Sequence, residues 1–339
     1  MYDKNDKSND LGNSSNSLYY NRNEMRSAIL NNKPIPGPLH VVVVMSNPLN
    51  FRKRLQLIIE FIKRMYLEKN ISINVLELVY KGYNKSTIGS IPKYHKVNYM
   101  SLCVDTPLWH KENMINVAIE KMLPKNWKAV AWIDADIEFE SPTWALDTLK
   151  ILNGCRDIVQ LFSHAVDMDQ NKDAMNVFSS FGFMYERERE YSTVSVQRMF
   201  HPGYAWACTR DAYNKMNGLI QFGILGSGDQ HMAMSFAKIA DKSINSNING
   251  EYRKKVLDFQ YNIRNLRLGY IPGVIRHHYH GSKANRRYTK RWKILVDAGF
   301  NPETHIMMNE DSIIIPTSEC PKVLLDGVVQ YFKDRLEDD

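Results

Sequence analysis

Blocks of apolar residues with strand-like and helix-like periods alternate along the chain. Leu39 to Met45 reads Leu-His-Val-Val-Val-Val-Met and predicts a first strand, closed by Ser46-Asn47-Pro48. Pro48 disfavours helix at the residue before it, so Asn47 to Arg54 is expected to turn at the strand tip. Arg54 to Leu67 carries Leu55, Ile58, Ile59, Phe61, Ile62 and Met65 at helical spacing, and Ile71 to Val79 returns to a strand. That β-α-β order with short joints predicts a right-handed parallel crossover. Trp109 to Met122 follows as a helix whose apolar face holds Met114, Val117, Ala118 and Met122. Ala129 to Ile133 is an unbroken apolar run with no helical period, the pattern of a parallel strand covered on both faces. Trp144 to Leu152 predicts a helix and Asp157 to Phe162 another buried strand.

Residues 164–199 are polar and poorly periodic, which fits a flap or insertion. Thr209 to Asn217 reads as a short helix. Gly223 to Asp229 is a glycine-rich turn that presents Asp229 at the head of a helix from Gln230 to Ile239, where Asp229 also suits an N-cap. Residues 241–260 look like a surface excursion. Tyr270 to Lys283 returns to a strand on which His278 and His280 share one face and His277 takes the other. The basic stretch from Arg286 and Arg287 to Arg291 leads into an amphipathic helix closing at Gly299. Residues 1–37, rich in Asn, Ser, Asp and Lys, are expected to be a disordered arm ending in Pro34-Ile-Pro-Gly-Pro38. The expected class is therefore α/β: one Rossmann-like domain over 38–300, its mostly parallel sheet flanked by helices, with 301–339 as an extension packing on it.

Composition narrows the function. The 339 residues are 44% hydrophobic and 24% charged, as in an ordinary globular protein. No run approaches the roughly 18–20 apolar residues of a membrane span, and the N-terminus lacks an apolar signal core, so a cytoplasmic location is expected. Cys103, Cys155, Cys208 and Cys320 lie far apart without a Cys-x-x-Cys pair, which argues against a disulfide framework or a zinc ribbon. The net charge of +7 calls for an anionic partner. Neither Gly-x-Gly-x-x-Gly after the first strand nor a Gly-Lys-Ser/Thr loop is present, which counts against a dehydrogenase and a P-loop nucleotidase.

Asp134 and Asp136 follow the Ala129 to Ile133 strand. Ligands of open α/β sheets bind beyond the carboxyl ends of the strands, so this pair is suited to a hard divalent cation, Mg²⁺ or Mn²⁺, shared with substrate phosphates. A second Asp-x-Asp, Asp167-Met168-Asp169, has polar surroundings and reads as a solvated loop. Lys111 lies near a helix start, where anions are favoured. The spacing of His277, His278 and His280 does not suit structural zinc; one histidine joining Asp136 on a hard metal is the more economical reading.

From about Val41 to Arg291 the chain resembles nucleotide-diphospho-sugar glycosyltransferases of the GT-A fold, and looks closest to the cytosolic type met in large DNA viruses and phages. The resemblance is carried, in order, by Ser46-Asn47-Pro48, Leu108-Trp109-His110-Lys111-Glu112-Asn113, Trp132-Ile133-Asp134-Ala135-Asp136, His201-Pro202-Gly203-Tyr204-Ala205-Trp206-Ala207, Gly226-Ser227-Gly228-Asp229 and His280-Gly281-Ser282-Lys283. It implies a nucleotide base near Ser46 and Asn47, a cation on Asp136 with Asp134 at the ribose or behind the ligands, and His280 as a late metal ligand. It places Lys111 and Lys283 at sugar or diphosphate, with Arg286 and Arg287 nearby. Asp229, standing where many relatives carry Glu-Asp, would be the general base of an inverting reaction. The implied partners are a UDP- or GDP-sugar donor and a glycan or glycoprotein acceptor, with no nucleic acid and no membrane span. A retaining transferase on the same fold is an alternative. A metal-dependent phosphodiesterase or nuclease is another, although such sites usually bring two ions and more carboxylates than Asp134, Asp136 and Asp229.

Overall fold

The computed structural model describes residues 24–187, 200–286 and 291–338, without the side chains of residues 283 and 284. Its strands are β1 (Leu39–Ser46), β2 (Ile71–Tyr80), β3 (Val97–Val104), β4 (Ala129–Ile133), β5 (Ile137–Phe139), β6 (Ile158–Gln160) and β7 (His164–Met168). After these come β8 (Ala174–Ser180), β9 (Phe200–His201), β10 (Ala205–Thr209), β11 (Leu268–Tyr270), β12 (Val274–His277), β13 (Ile306–Met308) and β14 (Ile314–Pro316). The central sheet has the order β11-β6-β10-β4-β1-β2-β3. All its strands run one way except β10, which lies antiparallel between β4 and β6. The fold is thus mixed α/β with a mostly parallel central sheet flanked by helices.

The unbroken apolar runs reflect burial on both faces. Val41 and Val43 of β1 pack with Ile58, Phe61, Ile62 and Met65 of the Arg52–Leu67 helix on one side. Val42 joins Met114, Val117 and Ala118 of the Lys111–Met122 helix on the other. Each such buried Val, Ile, Phe or Met side chain contributes about 1.5–3 kcal/mol of transfer free energy. A third apolar cluster, including Leu108, Leu225, Tyr252, Phe300, Leu324, Val328 and Phe332, seats the Lys322–Asp334 helix beside the sheet.

Register brings the chemistry to one edge. Val42 of β1 pairs with Trp132 of β4, so Ser46 and Asp134 emerge at the same carboxyl edge. Antiparallel β10 starts there, with Ala205 opposite Ile133, and the Asp134 amide donates to the Tyr204 carbonyl at 2.8 Å. A second sheet, β5-β12-β7-β8-β9, sets His277 opposite both Ile137 and Asp167.

Several expectations are corrected. Asp167 lies on β7 and is 1% exposed, because its partners come from β12 and from Tyr204, which are remote in sequence; it is not in a solvated loop. Residues 241–260 are not a surface excursion: Gly250–Ile263 is a helix burying Tyr252, Val256, Phe259 and Ile263, a helical spacing obscured by the charges between them. Residues 24–31 are helical within the stretch expected to be a disordered arm. They bury Met25 and Ala28 against the core, with Glu24 paired to Arg156 at 2.8 Å, and residues 1–23 lie outside the described residues. In the expected flap, β7 and β8 form a hairpin followed by the Phe181–Tyr185 helix, and residues 188–199 lie outside the described set. The Asp229 helix runs Gly228–Phe236 with Ser227 as its N-cap, which puts Asp229 in the first turn. Strand β3 carried no sequence expectation.

Gly182 fixes how the Phe181–Tyr185 helix meets the central sheet, since a Cβ there would stand 2.7 Å from the Gly269 carbonyl oxygen. Gly182→Ala is expected to lower stability by about 1–3 kcal/mol in urea unfolding, the range for overpacking. A midpoint equal to that of the unsubstituted chain would show that this contact yields freely.

Candidate functional site

A cavity of about 340 Å³ opens at the carboxyl edge of the sheet. Its lining draws Ser46 from β1, Lys111 and Glu112 from a helix start, Asp134 and Asp136 from the turn after β4, Tyr204 ahead of β10, and Asp229 from the first turn of the Gly228–Phe236 helix. His277, His280 and the arginines 54, 286, 291 and 335 complete its polar walls. Cation density around clustered carboxylates suits an anionic ligand bound with a metal ion.

One end of the cavity has metal-binding geometry. Asp136, His277 and His280 offer ligand atoms that all lie within 4.8 Å of one another. His280 Nε2 is 2.8 Å and His277 Nε2 3.6 Å from Asp136 Oδ2. Both Asp136 Oδ1 and His277 Nε2 are buried without a hydrogen-bond partner, a costly state that a coordinated cation would relieve. Behind His277, Nδ1 lies 2.9 Å from Asp167 Oδ1, which also accepts from the Tyr204 hydroxyl at 3.0 Å. A carboxylate on the far nitrogen fixes the imidazole tautomer and orients the ligand nitrogen. Burial alone would lower the His277 pKa, but Asp136 and Asp167 outweigh it and raise it. Burial would raise that of Asp136, yet the two histidines hold it well below the usual carboxylate range.

A carboxylate cluster continues from this end. Lys111 Nζ sits 2.5 Å from Asp134 Oδ1, and Asp134, Glu112 and Asp229 outweigh burial to raise the lysine pKa. Burial, aided by Asp229 and Asp134 and opposed by Lys111, pushes the Glu112 carboxyl up to about 7. Trp109 Nε1 donates to Glu112 Oε2 at 3.2 Å. Close approach depends on two glycines: a Cβ at Gly228 would lie 2.7 Å from the Glu112 carboxyl, and one at Gly203 2.8 Å from Asp229 Oδ2. Asp229 Oδ1 accepts the Gln230 amide at 2.8 Å, leaving Oδ2 toward Gly203.

At the β1 tip a hydrogen-bond chain sets polarity. Burial lowers the His110 pKa to about 4, so the ring is neutral, and Nε2 donates to the Ile314 carbonyl at 2.8 Å. Its Nδ1 then accepts from the Tyr80 hydroxyl at 3.1 Å, and the Ser46 hydroxyl donates to Tyr80 at 2.6 Å. Ser46 therefore offers lone pairs, not a proton, to the cavity.

Of the residues singled out from sequence, Ser46, Lys111, Asp134, Asp136, Asp229, His280 and Arg286 line this one cavity. Asn47 does not: its side chain donates to the Phe51 carbonyl and accepts the Phe51 amide, closing the turn at the β1 tip. Lys283 opens a short 3-10 turn, Lys283–Arg286; its side chain and all of Arg287 lie outside the described residues. Arg286 Nη2 is 2.8 Å from His280 Nε2. The expected face-sharing of His278 and His280 is corrected, since β12 ends at His277 and strand alternation ends with it. His277 and His280 converge on Asp136, while His278 faces Glu138 at 3.3 Å. Sequence reasoning missed His277, Glu112, Arg54 and Glu337; only the three histidines in four positions hinted at the first.

No protein-family model matches the sequence, and no curated protein matches it. Solved structures do align with it at low identity. The mannosyltransferase PcManGT of Pyrobaculum calidifontis, in complex with GDP-Man and Mn²⁺, is 14% identical with a TM-score of 0.45, over 84% of this chain and 71% of that one. TarS of S. aureus with UDP-GlcNAc is 10% identical with a TM-score of 0.43, over 73% of this chain and 60% of that one. A mutant Drosophila β-1,4-galactosyltransferase 7 with manganese, UDP-Gal and xylobiose is 12% identical with a TM-score of 0.41, covering 84% and 97%.

Two outcomes follow from the geometry. Two imidazoles with one carboxylate favour Mn²⁺ and later transition ions over Mg²⁺. Mn²⁺ is therefore expected to raise the melting temperature more than equimolar Mg²⁺, and Asp167→Asn to weaken Mn²⁺ affinity about 10–100-fold in calorimetry; equal stabilisation by both ions would refute the imidazole pair as ligands. Glu112 carries a folded pKa of about 7 against an ordinary value of 4.5, so its charged form destabilises the fold. That penalty is absent below pH 4.5, grows between 4.5 and 7, and is complete above 7. Glu112→Gln should thus gain melting temperature relative to the unsubstituted chain at pH 8 but not at pH 4, and a difference independent of pH would contradict it.

Proposed function

We propose that the chain is a metal-dependent glycosyltransferase that moves a sugar from a UDP- or GDP-sugar to an acceptor hydroxyl on a glycan or glycoprotein. The observation that carries this reading is the convergence, in one cavity, of the Asp136–His277–His280 set, a wall of Lys111 and arginines, and the carboxylate of Asp229. In this reading Asp136, His277 and His280 hold Mn²⁺ or Mg²⁺, with Asp134 beside them. When bound, the cation screens the diphosphate and stabilises the negative charge on the departing nucleotide.

The chain's own residues do the rest. Ser46 receives an N–H of the base, for which its outward lone pairs are suited. Lys111 holds Asp134 in place and faces the donor's anionic groups, and Arg286 meets diphosphate, with Lys283 assigned there from the sequence. Asp229 accepts the acceptor's hydroxyl proton as that oxygen attacks the anomeric carbon, giving inversion. Gly203 leaves room for Asp229 Oδ2 on that side. General-base help of this kind is worth roughly 10²–10⁴-fold.

The test is turnover and thermal stabilisation by UDP- and GDP-sugars with Mn²⁺, Mg²⁺ or EDTA. One donor is expected to respond, EDTA to abolish the response, and Asp136→Ala to remove it. Asp229→Asn should bind that donor with a nearly unchanged Kd while kcat falls about 10²–10⁴-fold. A response to no sugar nucleotide with either ion would overturn the reading. Asp229→Asn at full kcat would remove the base assignment alone.

A further inference from the structure

Residues 335–338 leave the Lys322–Asp334 helix and pack against the cation end of the cavity through three independent contacts. The first is ionic. Glu337 is 2% exposed and is held by Arg54, whose Nη2 donates to Oε1 at 2.7 Å, and by Arg335. Its Oε2 lies 3.8 Å from His280 Nδ1. The second is a helix cap. Asp338 accepts the amides of Arg52 at 3.0 Å and Lys53 at 2.9 Å, at the start of the Arg52–Leu67 helix, whose own N-cap residue makes no side-chain bond. The third is steric. Gly281, next to His280 and at φ 78°, has no room for a side chain, because a Cβ would stand 2.9 Å from the Leu336 oxygen and 3.0 Å from Glu337 Cα. Arg54 extends the arrangement to the β1 tip by donating to the Ser46 carbonyl at 2.7 Å.

We infer that residues 335–338 form a strap that positions the cation site, with Glu337 as the positioning residue for His280. The Glu337 charge, 3.8 Å from Nδ1, favours the proton on that nitrogen and so leaves Nε2, beside Asp136 Oδ2, a lone pair for a cation held by both, the role that outer carboxylates play behind metal-bound imidazoles. The two histidines are then backed by two buried acids remote from each other in sequence, Asp167 behind His277 and Glu337 behind His280. The inference rests on the reading of Asp136, His277 and His280 as a cation site.

The experiment is Mn²⁺ binding to the full chain, by calorimetry and by the electron paramagnetic resonance line shape of the bound ion. Wild type is expected to bind Mn²⁺ and Asp136→Ala to lose it. Glu337→Gln should raise the Kd about 10–100-fold and alter the line shape. Because Glu337→Gln also breaks buried ion pairs and can fail to fold, the exposed Asp338→Ala is the second variant. It should raise the Kd in the same direction with the fold intact, and Asp338→Asn, which keeps only one of the two acceptor oxygens, should restore it in part. Wild-type Kd and line shape in a folded Glu337→Gln or in Asp338→Ala, with binding lost in Asp136→Ala, would overturn the strap alone. A wild-type chain that binds no Mn²⁺ would overturn the cation reading and the strap with it.

Discussion

Asp136 is a partly buried carboxylate with Oδ2 against two imidazoles and Oδ1 buried without a donor. Such a group is stable only if the structure fixes its partners, because an unpaired buried charge costs several kcal/mol. Much of the surrounding architecture meets that requirement. The second sheet pairs His277 with Asp167, Tyr204 reaches across from the lead-in to β10 to the same acid, and the end of the chain closes behind His280. Apart from the two histidines, these partners are remote from one another in sequence. The three ligand candidates come from the turn after β4 and from the end of β12, and their supports from β7, the β10 lead-in and residue 337.

The same economy governs the rest of the cavity. Glu112, Asp134 and Asp229 would repel one another, and Lys111 lies among them as the shared cation. Glycines at 203 and 228 allow carboxylates to approach backbone where any side chain would collide. The lone antiparallel strand in a parallel sheet has a corresponding use: only a reversed β10 can begin, rather than end, at the carboxyl edge of β4, which delivers Gly203 and Tyr204 to the site. The basic surplus of the chain is partly used here, with Arg54 and Arg335 sharing the single negative charge of Glu337 while Lys111 and the arginines 286 and 291 also face the cavity.

Elements with strong local periodicity were legible. Val41 to Val43, Phe61, Ile62 and Ala129 to Ile133 announce strand, helix and doubly covered strand because burial imposes its period directly on the residues concerned. Misreadings fell where burial and polarity conflict. The Gly250–Ile263 helix hides four buried residues among charges, and Asp167 looks solvated because its neighbours in sequence are polar while its neighbours in space are His277 and Tyr204. For the site, the Asp-x-Asp after an apolar run was readable, since strand ends of this kind face a crevice. His277 was assigned to the wrong face because alternation assumes a strand continuing to residue 280, and β12 stops at 277.

The sequence by itself determined the α/β class, the β-α-β opening and the concentration of acids at one strand end, all set by nearest-neighbour periodicity and side-chain chemistry. Tertiary structure alone decided which histidines meet Asp136, that β10 runs backwards, that Glu112 is buried with its carboxyl raised, and that the last residues brace the first strand's tip. These depend on distances between residues tens to hundreds of positions apart. Such distances are fixed by sheet register and by the packing of whole elements, which leave no periodic signal in the chain.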